Sequence, residues 1–248
     1  MKRIYAVLSL SVICLIISLI ISPLVQKLQA QEIQVHVFNF QPFYVVEDGK
    51  EPSGIFVDYI KAIFERANIK YIVKGYPAKR AYKNLGEGKS NIFLGVKGVP
   101  ELEGNVLYGN EKITQIDLRV YTRQETPVLK TKEELKGKKI LIIRGYSYGG
   151  FIKYLEDPAN KIELDITDGH ELAFKKLQGK RADYLLDYSA PAETTLKSVI
   201  VPGVQNHSIS ILDIFMILSN KTPDAENLLK KLEQAFIDLK KEGKLTNL

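Results

Sequence analysis

Few side chains in this chain have both the type and the position to do chemistry. Residues 145–150, with the sequence Gly-Tyr-Ser-Tyr-Gly-Gly, follow an apolar run and lead into a helix-like segment. Backbone N–H groups at a helix start lack intrahelical partners, so this turn could bind an anion; glycines that serve only the turn are the alternative. The glycine spacing fits neither a dinucleotide fingerprint nor a P-loop. Asp187 ends a second apolar run and could bind a cation.

Catalytic and metal-binding patterns are missing from the sequence. His36, His170 and His207 are scattered and form no Ser-His-Asp or His-x-x-x-His arrangement, and the only cysteine is Cys14. A strand histidine such as His36 is more often structural than catalytic. We therefore expect a binding protein that is not an enzyme and that has no metal and no cofactor.

An internal echo indicates the elements that position these residues. The segment AYKNLGEGKSNIFLG at 81–95 returns as AFKKLQGKRADYLLD at 173–187. Each copy runs from a helix end through a Gly-Lys turn into a buried type of strand, which predicts two α/β lobes with a ligand cleft between them. The copies end differently, in Gly95 and in Asp187, so the site is expected to be asymmetric. Chance recurrence of a common α/β connection is the alternative.

The first thirty residues indicate export. Lys2 and Arg3 precede an apolar run at 4–25, and Leu-Gln-Ala at 28–30 suits signal cleavage. The run is long for a signal peptide, so an uncleaved N-terminal anchor is the alternative. Either way, the rest of the chain is expected to be periplasmic or otherwise extracytoplasmic.

Charge and length limit the remaining possibilities. Residues 1–30 contain three of the 35 basic residues and none of the 29 acidic ones, so the rest of the chain has a net charge of only +3. No Lys/Arg-rich block stands out, and we expect no nucleic-acid partner. The 218 residues after position 30 suit two lobes of about a hundred residues each.

Hydrophobic periodicity predicts alternating strands and helices. Residues 33–38 and 71–74 are predicted strands around a helix at 58–67, a β-α-β pattern that favours parallel pairing. Apolar strands at 116–122 and 210–219 are predicted to connect the lobes. The first lobe is expected to comprise 31–122 and 209–248, and the second lobe 123–208.

Five short motifs together resemble the bacterial extracellular solute-binding proteins of family 3, the periplasmic polar amino-acid binding proteins of ABC transporters. The resemblance spans 33–248 and implies a two-lobed α/β fold of the periplasmic binding protein type II, with two crossover hinge strands. The motifs are Phe40-Gln41-Pro42-Phe43, Gly54-Ile55-Phe56-Val57-Asp58, Glu134-Leu135-Lys136-Gly137-Lys138-Lys139, Gly179-Lys180-Arg181-Ala182-Asp183 with Asp187, and 240–243.

The resemblance also implies a set of ligand-binding residues. Aromatic stacking is expected at Phe40 and Phe43 and at the position held by Ile55, first-lobe contacts at Gly95 and Lys97, and an ammonium partner at Asp187. The turn is expected to hold a carboxylate through Tyr146, Ser147 and Tyr148. Tyr76 and Arg80 are added as a π face and a cation that could reach the cleft. For each of these residues, a core or surface role is the alternative.

Three departures from the family pattern leave the ligand open. The arginine that binds the ligand carboxylate is replaced by Leu102, an acidic residue before the stacking aromatic by Val37, and a second aromatic by Ile55. A buried charge is costly unless it is paired, so these losses weaken an amino-acid assignment. Lys97 could compensate as a point charge without the planar fork of arginine.

The resemblance implies a monomer that captures a small polar solute, an amino acid or related small carboxylate, for an ABC transporter permease. Two alternatives remain. One is a dehydratase for prephenate-like cyclic acids, with Glu101, Glu103, Asp187 or His170 in acid–base roles. The other is a membrane-tethered ligand-sensing module.

Overall fold

The computed structural model describes residues 32–245, which contain nine strands and six helices. The predicted signal peptide or anchor at 1–30, with Cys14, lies outside the described residues. The strands are β1 (Ile33–Val37), β2 (Tyr71–Gly75), β3 (Ile92–Val96), β4 (Val106–Tyr108), β5 (Thr114–Thr122), β6 (Lys139–Ile143), β7 (Glu163–Thr167), β8 (Tyr184–Tyr188) and β9 (Gln205–Ser219). The helices are α1 (Ile55–Ala67), α2 (Ala78–Gly86), α3 (Ile152–Glu156), α4 (His170–Gln178), α5 (Ser189–Leu196) and α6 (Ala225–Lys241).

All strands belong to one sheet with two parallel ends and an antiparallel middle. The order is β2-β1-β3-β9-β5-β8-β6-β7, and β4 also pairs with β9. We call β1–β4 the first sheet half and β6–β8 the second sheet half. In each half the first strand pairs in parallel with the two that follow it through helices, β1 with β2 and β3, and β6 with β7 and β8. The echo therefore occupies equivalent places, α2 with β3 and α4 with β8.

Burial explains why these segments form their elements. Every residue of β3 and of β8 is buried, as expected for strands that are covered on both faces. Helix α1 buries the face predicted from its periodicity and ends at Asn68, which adopts a left-handed conformation (φ 51°). Helix α6 buries an apolar stripe against α1 and β9. Arg66 of α1 also forms a two-pronged ion pair with Glu242, at 2.8 and 2.5 Å.

The long strands β5 and β9 join the two halves. Strand β9 pairs with β3 from 214 to 218, and β5 pairs with β8 from 118 to 122. Where β5 and β9 pair with each other, the register shifts between Leu118 and Arg119. Such a bulge bends the ladder locally. Val96 of β3 lies opposite Ile214 and Tyr188 of β8 opposite Leu118, so both strand ends point towards this bend. No helix within 32–245 is long and apolar enough to cross a membrane.

His36, in the centre of the first sheet half, makes stability depend on pH. Burial lowers its pKa from 6.5 to about 4, with Lys74 and Arg80 adding positive charge nearby. The Asn84 side chain donates to its Nδ1 at 3.0 Å, so the folded state favours the neutral ring. Between pH 6.5 and 4 the unfolded chain therefore binds more protons than the folded chain, and stability falls as the pH falls.

We expect His36→Gln to reduce this loss, because glutamine keeps an acceptor for Asn84 but does not titrate. Urea unfolding at about pH 7 and about pH 4.5 measures the change in unfolding free energy for wild type and variant. His207→Gln, at an exposed position, is the matched control and should keep the wild-type dependence. An equal loss of stability in His36→Gln and wild type would contradict this account.

Candidate functional site

A small cavity lies where the strand ends of the two sheet halves meet. Its enclosed volume is about 20 Å³, enough for about one water molecule. Residues that follow or end β1, β3, β6 and β8 form its walls, and Ile116 and Ile214 of the central strands also line it. Ligands of α/β sheets bind at such carboxyl ends of strands. The lining residues are Phe38, Phe40, Phe56, Tyr82, Phe93, Leu94, Gly95, Val96, Ile116, Tyr146, Ser147, Tyr188 and Ile214.

Aromatic rings from both halves fill the space around this cavity. Phe40 contacts Tyr146 and Tyr188 edge to face, with ring centres 5.6 and 5.2 Å apart. Phe38 stacks on Phe93 at 5.5 Å. Each such pair contributes about 0.5–1.5 kcal/mol beyond the area that it buries. The rings therefore favour the closed arrangement, and a solute larger than water fits only if they separate.

Asp187 lies beside the cavity, fully buried, at the end of β8. Its Oδ1 accepts from the backbone N–H of Tyr188 at 2.8 Å, and its Oδ2 lies 2.7 Å from Nδ1 of His170. A carboxylate only accepts, so Nδ1 of the imidazole donates to it. Nε2 of the same ring lies 3.0 Å from the Tyr146 hydroxyl. Asp187, His170 and Tyr146 thus form one hydrogen-bonded chain.

This chain keeps Tyr146 neutral and connects it to the first sheet half. Burial raises the pKa of the Tyr146 phenol well above its usual range, and the negative charge of Asp187 raises it further. The phenol also donates weakly to the carbonyl oxygen of Asn39 at 3.5 Å. The second-half turn therefore contacts the first half through both its ring and its hydroxyl.

The glycine-rich turn differs from the expected anion cradle. Its N–H groups at Gly150, Phe151 and Ile152 donate to the carbonyls of Ser147 and Tyr148, so they are not free for an anion. Tyr148 does not line the cavity: its hydroxyl accepts from Ile143 at 2.7 Å and donates to Leu186 at 3.3 Å. It fixes the turn to the sheet instead.

The glycines of this turn allow close contact with the other half. A methyl group on Gly98 would lie 2.7 Å from the Gly149 carbonyl oxygen, and one on Gly150 would lie 3.0 Å from the Gly98 carbonyl oxygen. Gly149 and Gly150 both have positive φ, at 65° and 88°, which favours glycine. Beside them, Lys153 forms an ion pair with Glu103 at 2.5 Å. These residues bring the two halves into backbone contact.

Two predicted cations of the first half lie on aromatic rings away from the cavity. Lys97 is exposed, with its Nζ 4.0 Å from the ring centre of Phe215, and Arg80 lies 5.1 Å from the ring centre of Tyr76. Their side chains snorkel along apolar surface, a role that spacing in the sequence does not distinguish from ligand binding.

The other predicted residues of the first half divide between the core and the cleft edge. Phe43 stacks on Phe56 at 4.6 Å, Ile55 packs half-buried against the core, and Tyr76 lines a neighbouring opening between the halves. Four of the eleven predicted residues line the cavity itself: Phe40, Gly95, Tyr146 and Ser147.

Several site residues were missed from the sequence. Phe38, Tyr82 and Phe93 line the cavity, and His170 pairs with Asp187. Tyr188 was the most accessible of these, since it directly follows the predicted Asp187. The helix start at Gly169-His170 gave no signal that the imidazole would reach the end of β8. Leu102 is fully buried, in the core rather than at the cavity.

The parallel halves, the shared central strands and the cavity between them define an α/β fold like that of periplasmic binding proteins. The model of the bacterial extracellular solute-binding proteins, family 3, matches residues 33–248, and the chain belongs to that family. No curated protein sequence matches it significantly.

Solved structures agree on the fold. A histidine kinase sensor domain with similarity to periplasmic binding proteins is 15% identical, with a TM-score of 0.73 over 88% of this chain and 93% of that one. The substrate-binding protein of an amino acid ABC transporter is 18% identical, with a TM-score of 0.66 over 86% and 95%. The arginine-, lysine-, histidine-binding protein of Geobacillus stearothermophilus is 19% identical, with a TM-score of 0.66 over 87% and 92%.

Removing His170 should destabilise the fold strongly. His170→Ala leaves the fully buried Asp187 carboxylate without its ring partner, and breaking a buried pair costs about 3–5 kcal/mol. The unfolding free energy from urea titration at neutral pH measures this cost. His207→Ala is the exposed control and should cost less than about 0.5 kcal/mol. A cost below about 1 kcal/mol for His170→Ala would show that Asp187 does not depend on this imidazole.

Proposed function

We propose that this protein is an extracytoplasmic solute-binding protein that captures a small polar solute between two lobes for an ABC permease. The observation that carries the proposal is the cavity at the strand ends, with aromatic rings from both halves and the buried Asp187 beside it. An ammonium group on the solute would give this carboxylate a cationic partner. Family 3 membership supports binding of a solute.

Hinge closure is the proposed mechanism. The lobes are proposed to be 31–122 with 209–248, and 123–208, and the bulge between Leu118 and Arg119 lies in the strand pair that joins them. A hinge needs a few residues that absorb the backbone change while each lobe stays rigid. The solute then shifts an equilibrium between open and closed forms by its higher affinity for the closed one.

Catalysis is less well supported than binding. Of the acid–base candidates, Glu103 is paired with Lys153 at the surface, and Asp187 is paired with His170. A dehydratase of prephenate-like acids would release product from that substrate, whereas the proposed function predicts saturable binding without turnover. The structural likeness to a histidine kinase sensor domain favours a tethered sensor as the second candidate. N-terminal sequencing of the exported protein separates a cleaved form from an intact, tethered one.

Ligand binding is tested by thermal unfolding and calorimetry with amino acids, amines and small carboxylates. The protein should first be unfolded and refolded, so that any solute that co-purifies is removed. At a hundredfold excess over Kd, a ligand stabilises the folded state by about 2.7 kcal/mol, which raises Tm by several degrees in a chain of this size. We expect at least one compound to do so. If none raises Tm or releases heat, the proposed function is wrong.

Closure is tested at Gly98, where a methyl group would collide with the Gly149 carbonyl oxygen. We expect Gly98→Ala to weaken the ligand found by that screen by at least about tenfold and to increase the radius of gyration measured by small-angle scattering with ligand. Gly104→Ala is a matched control, because Gly104 has a similar φ of 72° and no atom within 4 Å of the added methyl. Both variants bear the same backbone strain, so equal affinities would argue against closure at this contact.

A further inference from the structure

We propose that the solute is an organic cation, an amine or quaternary ammonium, that carries no carboxylate group. This inference rests on the proposed function and narrows its ligand class. Three observations lead to it: the charge at Asp187, the nature of the cavity walls, and the positions of the nearby cations.

The charge at Asp187 favours a cationic ligand. Within residues 32–245 no lysine or arginine forms an ion pair with this carboxylate, and His170 is its ring partner. Arg119 lies directly opposite Asp187 in the β5–β8 ladder, but its guanidinium pairs with Asp117 at 2.6 Å. A buried carboxylate is costly unless a cation pairs with it. A ligand ammonium would add the permanent positive charge that this wall lacks.

The cavity walls suit the rest of such a cation. Phe40, Tyr146 and Tyr188 present ring faces and edges around the cavity, and aromatic faces attract ammonium groups, more strongly where water is excluded. Ser147 also lines the cavity, and its buried hydroxyl has no hydrogen-bond partner within the described residues. An unpaired buried hydroxyl is costly, and an N–H group of a ligand would satisfy it.

A ligand carboxylate would find no cation beside the cavity. Lys97 and Arg80 lie over Phe215 and Tyr76, and Arg144 pairs with Asp168 at 2.5 Å. Leu102 supplies only apolar surface in the core. A carboxylate moved from water into a closed apolar cavity without a partner pays a large desolvation cost. The site should therefore reject the amino acid whose decarboxylated amine it accepts.

Matched ligand pairs test this inference in the wild-type protein. Each pair differs by one carboxylate: phenethylamine and phenylalanine, agmatine and arginine, tetramethylammonium and glycine betaine. We expect calorimetry on the refolded protein to give, in at least one pair, a Kd at least about tenfold lower for the member without the carboxylate. Tighter or equal binding of the carboxylate member in every pair that binds would overturn the inference and leave the proposed function standing.

Variants then test the contacts. Asp187→Asn should weaken the bound amine by at least about tenfold, whereas Glu193→Gln, which changes an exposed acid on α5, should leave its Kd unchanged. If Asp187→Asn does not fold, Tyr188→Leu replaces it, because loss of that ring should also weaken the cation by about tenfold. Unchanged affinity in the folded variant overturns the inference. If no member of any pair binds and the wider screen also fails, the proposed function fails with it.

Discussion

The buried carboxylate of Asp187 is the constraint on which the rest of the cleft depends. With no solvent contact, it needs donors, and it receives them from its neighbour's backbone and from His170. The imidazole that meets this need also fixes the Tyr146 hydroxyl, because its second nitrogen is only 3.0 Å away. Tyr146 in turn packs against Phe40. One desolvated charge thus determines the orientation of the turn that contacts the first sheet half.

The sheet topology explains why such a site can form between two similar halves. Each half has a first strand between two later ones, and β5 and β9 hold the halves with their strand ends facing the same bend. Gly95 and Asp187 are the fourth residues of β3 and β8, and so occupy equivalent places. A side chain on Gly95 would overlap the Phe93 ring. The first half therefore offers an aromatic ring where the second half offers a carboxylate.

Local pattern in the sequence was enough to predict the fold, because strand and helix periodicity, the echo and the family motifs all describe buried faces. The site was only partly predictable. Phe40 and Gly95 lie on or directly after strands, where alternation fixes the side-chain direction. Lys97 and Arg80 have long side chains whose direction depends on tertiary neighbours, here Phe215 and Tyr76. The role of His170 depends on a contact across seventeen residues that no local pattern describes.

The departure at Leu102 gains its meaning from the structure. In the sequence it is only a missing arginine, which another cation nearby could replace. The positions of Lys97, Arg80 and Arg144 remove the nearest replacements from the cavity, and the turn uses three of its N–H groups within itself. The acidic wall is retained while the basic wall is replaced by aromatic rings. A cleft with one buried negative charge and apolar surroundings favours a ligand whose own charge is positive and whose remaining surface is apolar.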